Sequence, residues 1–158
     1  MLKIAFGLGS NLGEREANLM SAINYLGEYI ANIKASEIFE TKALLLENAP
    51  ADWDINYLNQ IVVGEIVKPH NPELLLKSCK EIEAKMGRAS GAKWSPRLID
   101  VDIIAIEGVN WQSETLQIPH PLAHTRHFVL APLAQVWAEA LLANGKTAAR
   151  NLMELQID

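Results

Sequence analysis

Residues 33–41, IKASEIFET, and residues 57–67, YLNQIVVGEIV, decide the fold. The first alternates apolar and polar side chains imperfectly; the second is β-branched and apolar. Both patterns predict strands. The residues between them, 42–56, are of mixed character, punctuated by Asn48 and Pro50, and read as a loop. Two successive strands without a helix between them exclude a plain doubly wound sheet, whose parallel neighbours need crossover helices.

Upstream, residues 2–8, LKIAFGL, form a short apolar run ending at Gly9, which predicts a strand. Residues 14–30 then carry Ala17, Leu19, Met20, Ile23, Leu26 and Ile30 close to a 3.6 period, which predicts a helix. Downstream, Asn71-Pro72-Glu73 opens a second helix, with Asn71 as cap and Pro72 in the first turn. Its apolar face is Leu75, Cys79, Ile82 and Met86, and it stops at Gly87. Residues 98–106, LIDVDIIAI, predict a fourth strand; a weaker one follows near 114–118, broken by Pro119. Residues 126–141 read as a last helix, with Pro132 marking a kink or a late start. The order is β-α-β-β-α-β. It predicts an α+β, ferredoxin-like antiparallel sheet with helices packed on it and a C-terminal hairpin and helix addition. One domain spanning 1–158 is expected.

Composition narrows the function classes. Of the 158 residues 49% are apolar and 21% charged, as in ordinary globular domains. A net charge of −5 disfavours a global grip on nucleic acid. The single cysteine, Cys79, rules out an internal disulfide framework and reads as a small buried hydrophobe. No apolar run approaches the roughly 20 residues of a membrane span. The N-terminal MLKIAFGLGSNLG lacks the features of a signal peptide. A cytoplasmic protein without membrane partners is expected.

The sharpest chemical signal is Ile99-Asp100-Val101-Asp102-Ile103. Strand alternation puts both carboxylates on one face, roughly 7 Å apart along the backbone. Adjacent carboxylates repel unless a cation lies between them. Such oxygen ligands suit magnesium, which keeps waters and shares its shell with substrate phosphates. A solvated polar face is the alternative. The preceding loop favours the cation: between Glu83 and Asp100 there is no acidic residue, but Lys85, Arg88, Lys93 and Arg97 are present. A basic loop leading into a carboxylate pair has the makings of a metal–polyphosphate site.

Other segments carry further candidates. In Ile118-Pro119-His120-Pro121 and onward, His120 could donate to a phosphate, Arg126 could neutralise charge and Phe128 could stack on a ring. His120, His124 and His127 lack the H-E-x-x-H pattern of a zinc site, and Pro121 intrudes. Tyr57 and Asn59 share a strand face, and an aromatic beside an amide can read a flat heterocycle. Gly7-Leu8-Gly9-Ser10-Asn11-Leu12-Gly13 misses the G-x-G-x-x-G dinucleotide spacing by one. A tight turn with Ser10 or Asn11 capping the helix explains it better.

Taken together, these segments resemble the 6-hydroxymethyl-7,8-dihydropterin pyrophosphokinase family over nearly the whole chain. Gly9-Ser10-Asn11-Leu12-Gly13, Tyr57-Leu58-Asn59, Ile82-Glu83 and Gly87-Arg88 carry part of the resemblance. The W-x-P-R-x-x-D-x-D string from Trp94 to Asp102 and the P-H…R-x-F string from Pro119 to Phe128 are the specific parts. The resemblance implies transfer of a diphosphate from ATP to the pterin hydroxymethyl group in folate biosynthesis, with AMP leaving. It implies that Asp100 and Asp102 hold two magnesium ions and that Arg97, Arg126 and His120 contact ATP phosphates. Glu83, Trp94 and Ile103 would lie along the nucleotide, and Thr41, Leu44, Tyr57, Asn59 and Phe128 would hold the pterin. It also raises linkage to, or action beside, other folate-pathway enzymes.

Some positions depart from the family pattern. Lys42-Ala43 stands where a proline is common, the 42–56 loop is long, and Ser90 and Thr115 occupy positions that are often basic, which leaves Lys85 and Lys93 to share that work. The 42–56 and 88–97 loops are expected to act as lids. An RNA-binding ferredoxin-like module and a metal-dependent phosphohydrolase are the rival classes.

Overall fold

The structure, a computed structural model, describes residues 1–43, 45–67, 71–87 and 96–157. Four long strands make the sheet: β1 (Lys3–Ser10), β2 (Ile30–Ala35), β4 (Tyr57–Ile66) and β5 (Asp100–Ile106), in the order β2-β4-β1-β5, with the short β3 (Phe39–Thr41) also paired to β4. Every pairing is antiparallel, as the ferredoxin-like reading requires. Helices α1 (Arg15–Leu26) and α2 (Pro72–Lys85) connect the halves. A two-stranded hairpin, β6 (Trp111–Gln112) and β7 (Gln117–Ile118), precedes α3 (His127–Val136) and α4 (Ala148–Ile157).

The sheet separates two cores. On one face Ile4, Phe6 and Leu8 of β1 and Val101 and Ile103 of β5 pack with Leu19 and Leu26 of α1 and with Cys79 and Ile82 of α2. On the other, Ala5, Ile61, Val63, Ile104 and Ala105 pack with Leu130 and Leu133 of α3 and with the segment around Ala148. The expected alternation therefore holds: Val101 and Ile103 are buried while Asp100 and Asp102 point to the opposite face. In β5 the register against β1 shifts after Ile103, leaving Ile104 as an extra residue. That bulge puts Ile104 and Ala105 on the same side, in the second core.

Several boundaries differ from the sequence reading, for local reasons. The first helix ends at Leu26, with Gly27 as its C-cap, and Ile30 starts β2. Residues 33–41 are two strands, because the chain leaves the ladder after Ala35. Ser36 carries the pairing across the gap: its N–H donates to Ile61 O, and its Oγ accepts from Ile61 N–H, each at 2.9 Å. The last helix stops at Val136, and the chain turns through a Leu141–Thr147 bridge into α4, which lies beyond the predicted span. Asn71 caps α2 as expected, accepting from Glu73 N–H at 2.8 Å.

Candidate active site

The helical layer of α3 and α4 covers only part of its sheet face. The uncovered part floors a cavity of about 370 Å³. Sheet register aligns that floor in rows: Asn59, Gly9 and Asp100 are direct cross-strand neighbours, and so are Ile61, Gly7 and Asp102. Two strand spacings of about 4.8 Å put the Asn59 and Asp100 backbones roughly 10 Å apart. The middle strand carries only glycine in these rows. A β-carbon on Gly9 would lie 3.5 Å from Tyr57 Cδ1 and 3.6 Å from Asn59 Oδ1; one on Gly7 would meet Ile104 Cδ1 at 3.1 Å. Reading the G-x-G segment as a turn missed this. The strand runs on to Ser10, and the signal for it was glycine on every second position beside buried Phe6 and Leu8.

Nine of the candidate residues line this one cavity. Thr41, Tyr57, Asn59 and Phe128 stand towards β4 and α3; Arg97, Asp100, Asp102, His120 and Arg126 stand towards β5. The Asn59 amide is oriented by its partners: Nδ2 donates to Phe39 O at 3.1 Å and to Thr41 Oγ1 at 2.8 Å. Its donors are thereby used, and what it presents beside Gly9 is the acceptor Oδ1. The expected donor–acceptor reader is in this geometry an acceptor, with the Thr41 hydroxyl as the adjacent donor. Arg97 Nη1 pairs with Asp100 Oδ1 at 3.2 Å. The Arg126 guanidinium lies 5.8 Å from the Phe128 ring centroid, so the cationic and aromatic candidates touch.

His120 is tethered by its backbone N–H to Ile104 O at 2.8 Å, and its Nδ1 accepts from Leu122 N–H at 3.1 Å. The proton of the neutral ring is therefore on Nε2. Burial, and then the neighbouring Arg126 charge, hold His120 below its ordinary value of 6.5. As pH falls past that value, the unfolded chain takes up the proton before the folded one does. His120's contribution to stability is thus complete above about 6.5 and is lost as pH drops towards the lower folded value. In urea unfolding, the stability of the wild type relative to His120→Gln should decline below about pH 6.5. A difference independent of pH would contradict this assignment.

Two nucleotide candidates lie off the cavity. Glu83 is 3% exposed and accepts from the backbone N–H of Val101, between the two aspartates, at 2.8 Å. The Ile103 side chain is in the first core, which leaves only its main chain to meet a ligand at the sheet edge. Leu44 and Trp94 fall outside the described residues, as do Arg88, Ser90 and Lys93 and most of the 88–97 loop. Lys85 lies with its ammonium 6.0 Å from the Tyr25 ring centroid, and Thr115 donates to Glu73 at 2.8 Å; neither lines the cavity. Among the described residues no three His, Cys, Asp or Glu side chains converge on one point. The two aspartates form a pair, a donor set that fits a hard cation completing its shell with waters and phosphate oxygens.

The sequence comparison decides the family. Residues 5–138 match the model of 7,8-dihydro-6-hydroxymethylpterin-pyrophosphokinase. The chain belongs to this family. Its members are ATP-dependent pyrophosphokinases of folate biosynthesis, which transfer diphosphate to the hydroxymethyldihydropterin. The 2-amino-4-hydroxy-6-hydroxymethyldihydropteridine pyrophosphokinase of Bacillus subtilis is 38% identical over 139 residues, covering 86% of this chain and 79% of that protein. That of Methylorubrum extorquens is 32% identical, covering 98% and 94%. A folate synthesis bifunctional protein of Chlamydia trachomatis is 39% identical, covering 92% of this chain but only 34% of that protein. The chain thus spans about a third of the bifunctional relatives it matches. A crystal structure of Plasmodium falciparum HPPK-DHPS shares the pyrophosphokinase fold, with a TM-score of 0.69 at 14% identity, covering 97% of this chain and 44% of that one.

Proposed function

We propose that this chain, as one domain spanning 1–158, transfers the β,γ-diphosphate of ATP to 6-hydroxymethyl-7,8-dihydropterin. The observation that carries this is the sheet row Asn59–Gly9–Asp100, which sets a ring-reading strand and a carboxylate strand about 10 Å apart across a glycine floor. The pterin lies between Tyr57 and Phe128, with Asn59 Oδ1 and the Thr41 hydroxyl on its polar edge. Leu44, outside the described residues, keeps the pterin role that the family resemblance implies. Arg97, Arg126 and the Nε2–H of His120 hold phosphate oxygens, and the main chain of Ile103 borders the nucleotide; Glu83 and Trp94 keep the nucleotide role that the family resemblance implies, Glu83 through the β5 main chain it holds. Asp100 and Asp102 would hold magnesium, two ions, whose charge would neutralise the phosphates of the nucleotide.

The pterin hydroxymethyl oxygen forms a bond to the β-phosphorus as its proton is lost to solvent, and the bond from that phosphorus to the α–β bridging oxygen breaks. AMP leaves with that oxygen. The chain's contribution is positioning and fixed charge. Membrane and nucleic acid have no place in this reading. No helix among the described residues is long and apolar enough to cross a membrane, and the net charge is −5. We place the enzyme in the cytoplasm, acting beside other folate-pathway activities, as the names of the bifunctional relatives suggest.

The experiment is product analysis with ATP, magnesium and the hydroxymethyl dihydropterin. AMP without ADP or free phosphate is expected; phosphate release would favour a phosphohydrolase instead. A second test uses the floor. Gly9→Ala should leave stability unchanged or slightly raised, because its methyl meets Tyr57 and Asn59 at ordinary contact distance and the unfolded chain loses freedom. Pterin affinity should nevertheless fall about tenfold, the methyl intruding where the ring lies, a cost comparable to overpacking elsewhere. Calorimetry beside a thermal melt checks both; unchanged pterin affinity would remove Gly9 from the ring site.

A further inference from the structure

From the sequence, Ser10 or Asn11 is expected to cap the first helix. In the structure Glu14 is the residue before α1, and no side chain caps it. Asn11 is 1% exposed and bonds in two other directions. Its backbone N–H donates to Arg97 O at 3.0 Å, and its Oδ1 accepts from Arg97 N–H at 2.7 Å. Its Nδ2 donates to Ile55 O at 3.1 Å. Arg97 leads into β5 and its aspartates; Ile55 leads into β4 and Tyr57. Strands β4 and β5 share no ladder hydrogen bonds, because β1 lies between them. Asn11 sits just past the end of that middle strand and ties the roots of both neighbours. Arg15 reinforces the β4 side, donating to Asn56 O at 2.8 Å.

We infer that Asn11 is a positioning residue that fixes the span between the phosphate half-site and the pterin half-site, and so couples binding of the two substrates. The inference rests on the diphosphate-transfer reading above. A single primary amide supplies both the acceptor for one root and the donor for the other, and burial makes each bond costly to leave unmade. With the tie to Ile55 cut, each half-site can still bind its own ligand, but their separation is no longer held. In-line transfer across that gap suffers first, since small misplacements remote from the chemistry carry large rate penalties.

Asn11→Ala would leave both Arg97 N–H and Ile55 C=O unpaired and endangers the fold. Asn11→Asp keeps an acceptor for Arg97 N–H, replaces the donor to Ile55 O by a carboxylate oxygen facing that carbonyl, and is therefore read beside its melting temperature. Leu26→Ala, in the first core on α1, is the destabilised control. For each protein, titrate the pterin alone and then in the presence of magnesium and an ATP analogue with a methylene in place of the α–β bridging oxygen. Measure turnover and melting temperature alongside. For Asn11→Asp, turnover should fall on the order of a hundredfold. Each ligand alone should bind within a few-fold of wild type, and the factor by which nucleotide tightens pterin binding should collapse towards one. Leu26→Ala should melt lower and keep that factor. A second measurement needs no variant: pterin alone should slow hydrogen exchange at the Arg97 amide of the wild type.

Normal coupling and turnover in Asn11→Asp would overturn the inference. So would losses that merely follow melting temperature as in Leu26→Ala, or an Arg97 amide indifferent to pterin. A wild type that turns over but shows no coupling would overturn it while leaving the functional reading intact. A wild type that forms no pterin diphosphate would overturn the reading and the inference together.

Discussion

Asp102→Ala is expected to keep the fold and lose diphosphate transfer by about a thousandfold or more. Asp102 is exposed on the open part of the sheet, between Val101 and Ile103, which hold β5 in the first core. Removing its carboxylate takes nothing from that packing. It takes away half of a two-carboxylate donor set, and cation-mediated stabilisation of a phosphoryl transition state is worth several kcal/mol, with about 1.4 kcal/mol for each factor of ten. Asp100→Ala should behave alike in turnover, with one difference. Asp100 also pairs with Arg97 at 3.2 Å, so its loss releases that guanidinium as well. AMP formation by the purified variants, read beside their melting curves, checks both. Activity within tenfold of wild type in either folded variant would remove the carboxylate pair from the reaction.

Phe128→Ala is expected to weaken pterin binding about thirtyfold while changing ATP affinity little. Stacking adds about 0.5–1.5 kcal/mol to the transfer energy of the covered ring, and together they come to about 2 kcal/mol. Arg126 lies against the same ring, so the variant also frees that side chain to move. Because the guanidinium keeps its charge, the nucleotide should notice this less than the pterin does. Separate titrations of the two ligands decide the matter; an equal fall in both affinities would assign Phe128 to the nucleotide side.

The strands and the two connecting helices were legible in the sequence because their burial follows simple periods. Phe6 and Leu8, or Val101 and Ile103, sit two apart and face one core. Ile30 was misassigned because it points into that same core whether the helix continues or a strand begins. The break at Ser36 was invisible, since it depends on a hydroxyl replacing a ladder group of a strand far away in the chain. Helix α4 did leave a signal: the Asn144-Gly145 turn and Thr147, whose Oγ1 accepts from Arg150 N–H at 3.1 Å. In the site, charged and aromatic residues announced themselves by type. Gly9 and Asn11 did not, because one acts by lacking a side chain and the other through main-chain partners remote in sequence. Which donors Asn59 has left is likewise a tertiary fact, set by Phe39 and Thr41.

The direction of transfer is the central claim, and isotope tracing tests it most directly. The wild-type chain is given magnesium, the hydroxymethyl dihydropterin and ATP labelled in separate runs at the α- and γ-phosphorus. Diphosphate transfer requires γ-label in the pterin product and α-label in AMP. Label from the γ-position appearing as free phosphate, or α-label remaining in ADP, would contradict it.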